Sequence, residues 1–515
     1  MGTIRAFIWL LLLSGLSIIV VLFTLSNEDS TNKIEPVAAE KSFDDKPPVT
    51  KPDEASVGLY FDQPVIEQSD SMDKEVPVRE PQYRMDIEFH PEERLLTGKT
   101  EVEVWNMHTE PVKDIKFHLH LNAFNKGARR PVLDSFVSRT YPHGVRYGGI
   151  KVGSVVEEDR ELPFQVEGTV LTVQLDTVWE PETKRVISLE WEADIPGIHH
   201  RVGTDGGNFW FGNTVPVLAV YDNEWRTNDY EPVGDPFNTV ISNFLVHIAT
   251  PEEYRIVATG TQAESIENGR RLTNVEAYRV RDFSFAATKD TKLASVTTSS
   301  GVQLNLYYRK LSDALAKQAL KDAEQFLAHM EGELTGYPYR ELDIFENEMF
   351  ITGMEYPGMV YVDSDRLKHP KGIQTLLHEI AHQWFYNLIG NDQINEPWLD
   401  EGFATFYTDR YLQQQDILSA VSPQTLDKER KNKKVSIAGV QNYSIWNSYW
   451  KSAYQRASYM IFDLERTMGT ETFKEMMQAY AGQYAYQIAT SADLRAIVQR
   501  YADEDMASFW QDWFN

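Results

Sequence analysis

Hydrophobic residues follow four different patterns along these 515 residues. The first is a block. "FIWLLLLSGLSIIVVLFT", Phe7 to Thr24, has 18 residues and no charge, long enough to cross a hydrocarbon core. Arg5 precedes it, and Glu28 and Asp29 follow, an asymmetry that keeps the N-terminus inside and sends the rest outside. Residues 1–25 therefore predict an anchor, in a single-pass protein of the cell membrane whose folded part lies on the extracytoplasmic side. A cleaved signal, with secretion, is the alternative. Its apolar region is usually shorter, and no small-residue cleavage site follows directly. The second pattern, over residues 26–80, is mostly an absence of large apolar residues. "DDKPPVTKPDEAS" cannot bury enough surface to order itself, so the segment reads as a disordered spacer.

The third pattern has period two and runs from Tyr83 to Thr288. In "YRMDIEF" the residues Tyr83, Met85, Ile87 and Phe89 alternate with polar ones. "TEVEVW", "IKFHLHL", "VLTVQL", "VISLEW" and "FLVHIA" follow, separated by turn signals such as "PEERLLTG" and "NGRR". Such alternation predicts a β-rich domain over 81–290, a sandwich or saddle of antiparallel strands. His118 and His120 lie two apart in "FHLHL", which places both on the outer, polar face of a strand. His199 and His200 are adjacent, so an extended backbone points them to opposite faces.

The fourth pattern is helical. After strands at "VQLNLYYR" and "LDIFE", with the helix "DALAKQALKDAEQFLAHMEGEL" between them, 3.6-residue spacing dominates from Ile373 to the end. Residues 291–515 thus predict a mixed domain ending in helices, and the whole chain an α+β class.

Composition narrows the chemistry. The formal net charge is −27, which argues against a nucleic-acid partner because phosphates would be repelled. There is no cysteine, so disulfides, thiolate metal sites and cysteine catalysis are excluded, and any metal must be held by His, Asp or Glu. The chain has only 12 histidines, and "TLLHEIAHQWF" puts His378 and His382 four apart with Glu379 beside the first. Ile373, Leu376, Leu377, Ile380, Ala381, Trp384 and Phe385 keep helical spacing, predicting a helix from Gly372 to about Leu388. Residues four apart on a helix project together, so both imidazoles can reach one Zn²⁺, while Glu379 is rotated toward a metal-bound water. Catalytic zinc usually takes a third protein ligand. "EPWLDEGFATFY" opens another helix at Pro397, with Glu401 early in it and 18 residues between Glu401 and His382. That span suffices to finish one helix, turn near "GND" and return antiparallel. The expected chance count of His-acid-x-x-His in this composition is roughly 0.04. One zinc per chain is the expected cofactor; cobalt or manganese could use the same ligands.

"HEIAHQWF" and "WLDEGFATFY" resemble the two metal-binding helices of the aminopeptidase N-like zinc metallopeptidases, within the gluzincins. The resemblance covers about Tyr83 to the C-terminus. It implies a β-rich domain followed by a thermolysin-like catalytic domain, with His378, His382 and Glu401 as zinc ligands and Glu379 as general base. The family's G-x-M-E-N edge strand is matched by "TGMEYPG". This implies that Gly353, Met354 and Glu355 meet the substrate, Glu355 binding its free α-amino group. Thr352 replaces the first Gly, and Tyr356 the Asn. The family's Y-x-K-G tyrosine, which stabilises the oxyanion, is matched in "AYQRAS" by Tyr454, with Tyr449 as competitor. A family Glu that supports a zinc-bound His corresponds to Thr408, and Asp409 beside it points away on a helix. Larger members carry a further helical domain, for which a chain ending at Asn515 has no room. The implied function is a zinc-dependent aminopeptidase acting on peptides. The alternatives are a zinc endopeptidase, a zinc hydrolase of non-peptides, and an inactive surface binding module.

Overall fold

Alternation is the rule that builds the first half. In the strand Gln82–His90 every second residue is buried, and Tyr83, Met85, Ile87 and Phe89 are each at most 2% exposed. This strand lies inside an eight-stranded sheet, between Leu95–Trp105 on one side and Ser242–Pro251 on the other. The computed structural model describes residues 79–514 except 130, 370, 371 and 433–436. The anchor and all but the last two residues of the spacer lie outside the described residues. Among the described residues no helix is long and apolar enough to cross a membrane.

Two of the sequence expectations for this half need correction. The strands are not all antiparallel, because Gln82–His90 pairs parallel with Ser242–Pro251. Each strand still has one buried and one open face, so parallel and antiparallel pairing leave the same period-two trace in the sequence. His118 and His120 are not on an outer polar face. They are 2% and 3% exposed and stack with ring centroids 4.7 Å apart. The strand stops at His118, and a short 3-10 turn, His120–Phe124, carries the second ring inward. Burial lowers the proton affinity of both, His118 to about 4.

Two four-stranded sheets and one two-stranded sheet complete this half among the described residues, and a five-stranded sheet starts the second. Its order is Lys292–Thr297, Gln303–Tyr308, Glu341–Asn347, Met359–Asp363, with the two-residue strand Gly353–Met354 at the edge. The three middle strands are parallel and the two outer ones antiparallel. Helix α1 (Asp313–Glu333) crosses between the first parallel pair. It is capped by Ser312 and buries Ala316, Leu320, Ala323, Leu327 and Met330, a stripe at helical spacing. Helices α2 (Ile373–Ala381), α3 (Trp398–Gln414) and α4 (Ala457–Met468) then pack into one core with α1.

Helix α2 ends seven residues short of the predicted Leu388. The apolar spacing continues, but the backbone leaves the helix at His382, and the chain turns through Tyr386 at φ 96°. Asn387 holds that turn, its side-chain amide donating to the carbonyls of His382 (3.1 Å) and Glu355 (2.9 Å). Arg281, buried on the β half, donates to the Asn387 carbonyl at 3.2 Å. Hydrophobic periodicity does not report these bonds, because Asn387 acts through its side-chain amide and Arg281 and Glu355 lie far from the turn in the chain.

Candidate metal centre

Three ligand atoms converge from two helices. His378 Nε2 lies 3.1 Å from His382 Nε2 and 3.1 Å from Glu401 Oε2, and His382 Nε2 lies 3.3 Å from the same oxygen. Zinc–ligand bonds of 2.0–2.2 Å in a tetrahedron imply ligand–ligand edges of about 3.3–3.5 Å. The three atoms therefore already sit close to the edge lengths of a zinc tetrahedron. α2 ends just at His382, and Asp392 makes the returning turn by accepting from the N–H groups of Ile394 and Asn395, both 3.1 Å. α3 then brings Glu401 in from the other side.

The rings are oriented for ligation. His382 Nδ1 is 3.1 Å from the Phe385 carbonyl, which can only accept, so Nδ1 is the donor and Nε2 faces Glu401. The charge pattern favours a cation. Burial would raise Glu401, yet hydrogen bonds from His378 and His382 hold it at about 2. Burial opposes the charging of His382, but Glu401 and Asp400 lift it to about 9. Five buried carboxylates, Asp235, Glu355, Glu379, Asp400 and Glu401, surround this one point.

Glu379 is outside the ligand triangle, as its place on α2 requires. One of its oxygens lies within 4.8 Å of ligating atoms of His382 and Glu355. Burial, then the charge of Glu355, pushes its carboxyl well above the usual range. The edge strand runs against it: a Cβ added at Gly353 would collide with the Glu379 carboxylate, so only glycine lets this strand approach so closely. Met354 beside it is 1% exposed. Thr352 adopts φ 74°, a left-handed conformation that a β-branched residue rarely takes and that costs about 1–3 kcal/mol. This accounts for the glycine that the resembling family has at the same position.

Glu355 is buried in a polar nest. Its Oε1 accepts from Gln393 at 3.3 Å, and the same amide also bonds Asp400. Burial, then Asp235, Glu401 and Asp400, raises its proton affinity strongly. Tyr356, in place of the family's Asn, is packed near Phe237 and Tyr361, and its hydroxyl donates to Asn213 at 2.8 Å. Gly212 makes that fit, since a Cβ there would strike the Tyr356 hydroxyl.

Tyr454 hydrogen-bonds Glu401 Oε1, and its ring stacks on His378 with centroids 5.6 Å apart. Tyr449 is its neighbour at 5.9 Å, but its buried hydroxyl has no partner among the described residues. The segment Trp450–Arg456 is a π-helix, which brings residues five apart together. Asp409 accepts from Gln374 at 2.7 Å, while the buried Thr408 hydroxyl has no partner among the described residues. Sequence reasoning missed Asp235, Arg201, Gln393 and Asp400. Arg201 is buried, paired with Asp235 and bonded to Tyr230 at 2.9 Å. Asp400 was visible beside Glu401 in "WLDEG", but the other three belong to no motif.

Residues 318–513 match the peptidase family M1 domain. That agrees with the resemblance read from the two metal-binding motifs. Human endoplasmic reticulum aminopeptidase 2 is 27% identical over 354 residues, 61% of this chain and 35% of that protein. Aminopeptidase M1-D of Oryza sativa subsp. japonica is 26% identical over 237 residues, 42% of this chain and 27% of that protein. The chain thus spans about a quarter to a third of these relatives. Among solved structures, an M1 zinc metallopeptidase from Deinococcus radiodurans superposes with a TM-score of 0.61 at 13% identity, covering 85% of this chain and 94% of that one. The shared α+β fold extends to both halves, well beyond the M1 domain match itself.

The two tyrosines can be told apart by experiment. Tyr454→Phe should keep substrate binding and lose about 10²-fold in turnover, the effect of one oxyanion donor. Tyr449→Phe should change turnover less than threefold. Stopped assays at saturating substrate decide this, and a reversed ranking would assign the role to Tyr449.

Proposed function

We propose that this protein is a zinc-dependent aminopeptidase that removes N-terminal residues from peptides. The observation that carries the reading is Glu355. It is a buried carboxylate beside Glu379 and His382, hydrogen-bonded to Gln393 and paired with no lysine or arginine among the described residues. A peptide's N-terminal ammonium supplies the missing cation and fixes the scissile bond one residue from the amine. His378, His382 and Glu401 would hold the zinc, which when bound acidifies water and polarises a carbonyl. Glu379, buried and with raised proton affinity, takes the proton of the attacking water and passes it to the leaving amine. Tyr454 turns its phenol proton from Glu401 to the developing oxyanion. Gly353 keeps the edge strand close enough for its backbone to align the peptide beside Glu379.

The test compares one peptide with a free and an acetylated N-terminus. Acetylation removes the cation and buries Glu355 unpaired, at a cost of about 3–5 kcal/mol. The free peptide should therefore be cut at least about 100-fold faster. Equal rates would overturn the aminopeptidase reading in favour of an endopeptidase, and activity on neither would point to a non-peptide substrate or a binding module.

We also propose that Phe7–Thr24 tethers the M1 domain to the outer face of the cell membrane, a reading supported by the segment's length and by Arg5 ahead of it. The native protein should sediment with membranes and retain the segment. A mature N-terminus beyond Thr24 would mean secretion instead.

A further inference from the structure

Away from the metal centre, the β half holds a cavity of about 270 Å³, lined by Arg94, His143, Arg146, His199 and Thr204 among others. Four basic side chains gathered in one hollow are unexpected in a chain of net charge −27. Arg94 comes from the turn before the strand Leu95–Trp105, at φ 56°, and its guanidinium makes no hydrogen bond or ion pair among the described residues. Arg146 donates from NH2 to Asp194 at 3.1 Å, but its buried Nε has no partner among the described residues. The buried Nε2 of His199 has none among the described residues either, and the His143 and His199 ring centroids are 6.1 Å apart. Both guanidiniums line this one cavity, Asp194 pairs with Arg146, and burial and the charge of Arg146 lower the proton affinity of Arg94. Orphaned buried donors and crowded like charges are costly unless something answers them.

We propose that this cavity binds a small organic anion carrying a phosphate or carboxylate group, gripped by Arg94 and Arg146 with His143 and His199 as further donors. Guanidiniums offer paired donors that match such groups. The volume corresponds to roughly nine waters of liquid, more than a bare phosphate fills. A cation is the competing occupant, since His143, His199 and Asp205 have ligand atoms within 4.8 Å of one another. Asp205 is already engaged, however, by Arg309 and by Lys310 at 3.3 Å, and the two cavity arginines repel a cation. The site does not depend on the peptidase reading.

Isothermal titration of the metal-loaded protein with inorganic phosphate, and separately with succinate, tests this. At least one should bind at a single site, and the tighter one names the group. Arg94→Gln should weaken binding at least tenfold, with unchanged near-UV circular dichroism showing that the fold is intact. His143 is exposed, so His143→Gln leaves the fold undisturbed and should weaken binding severalfold. Absence of binding by both anions overturns the proposal. So does binding that Arg94→Gln leaves unchanged, because the anion then sits elsewhere, the metal centre included. A second equivalent of zinc that survives His382→Ala and is lost in His199→Ala would make the cavity a cation site instead.

Discussion

Replacing Glu379 by Gln should leave the metal bound and cut turnover by about 10²–10⁴-fold, the usual contribution of a positioned acid-base group. The side chain is 6% exposed and lies outside the triangle of His378, His382 and Glu401, so the change removes basicity without removing a ligand. Glutamine keeps the volume against Gly353, where the edge strand touches the carboxylate, and the strand need not move. The measurement is paired: zinc content by mass spectrometry and initial rate on an unblocked peptide. Near-normal turnover with zinc retained would remove Glu379 from the proton path. Loss of zinc would make it a ligand.

His382→Ala should abolish activity by emptying the centre. His382 is 1% exposed and makes two of the three contacts that close the triangle. Its Nδ1 is fixed by the Phe385 carbonyl, so the ring cannot be replaced by a neighbour swinging in. Losing only the outer partner of a ligand costs about 10–100-fold in metal affinity, and losing the ligand itself should cost more. The variant also leaves Glu401 with one histidine fewer to hold its charge, among four other buried carboxylates. Purified wild-type protein should carry one equivalent of zinc and the variant well under a tenth of that. Equal zinc in both would overturn the ligand assignment.

The comparison between sequence and structure divides along the range of the interactions. The four-residue spacing of His378 and His382 is a local property of a helix, and 18 intervening residues give only a few ways to return with Glu401. Period-two alternation likewise reports a strand with one buried face, which is why the β half was legible from Tyr83 onward. The same signal is silent on strand direction, and the parallel pairing of Gln82–His90 with Ser242–Pro251 left no trace in it.

What the residues by themselves determined was therefore a set of groups: a cysteine-free, acidic chain with two histidines and a glutamate at metal spacing, a second glutamate beside the first histidine, and a carboxylate on a strand ahead. Tertiary structure decided the rest. Asn387 and Arg281 end α2 at the second histidine. A π-helical stretch carries Tyr454 to a hydrogen bond with Glu401. Asp235 and Gln393, from segments with no motif, complete the nest around Glu355. The physical reason is that ligand geometry within a helix depends on neighbours three or four residues away. Helix ends, buried charge balance and hydroxyl partners depend also on groups tens to hundreds of residues distant, as Arg281 is from Asn387 and Glu401 from Tyr454, which only the folded chain brings within hydrogen-bond reach.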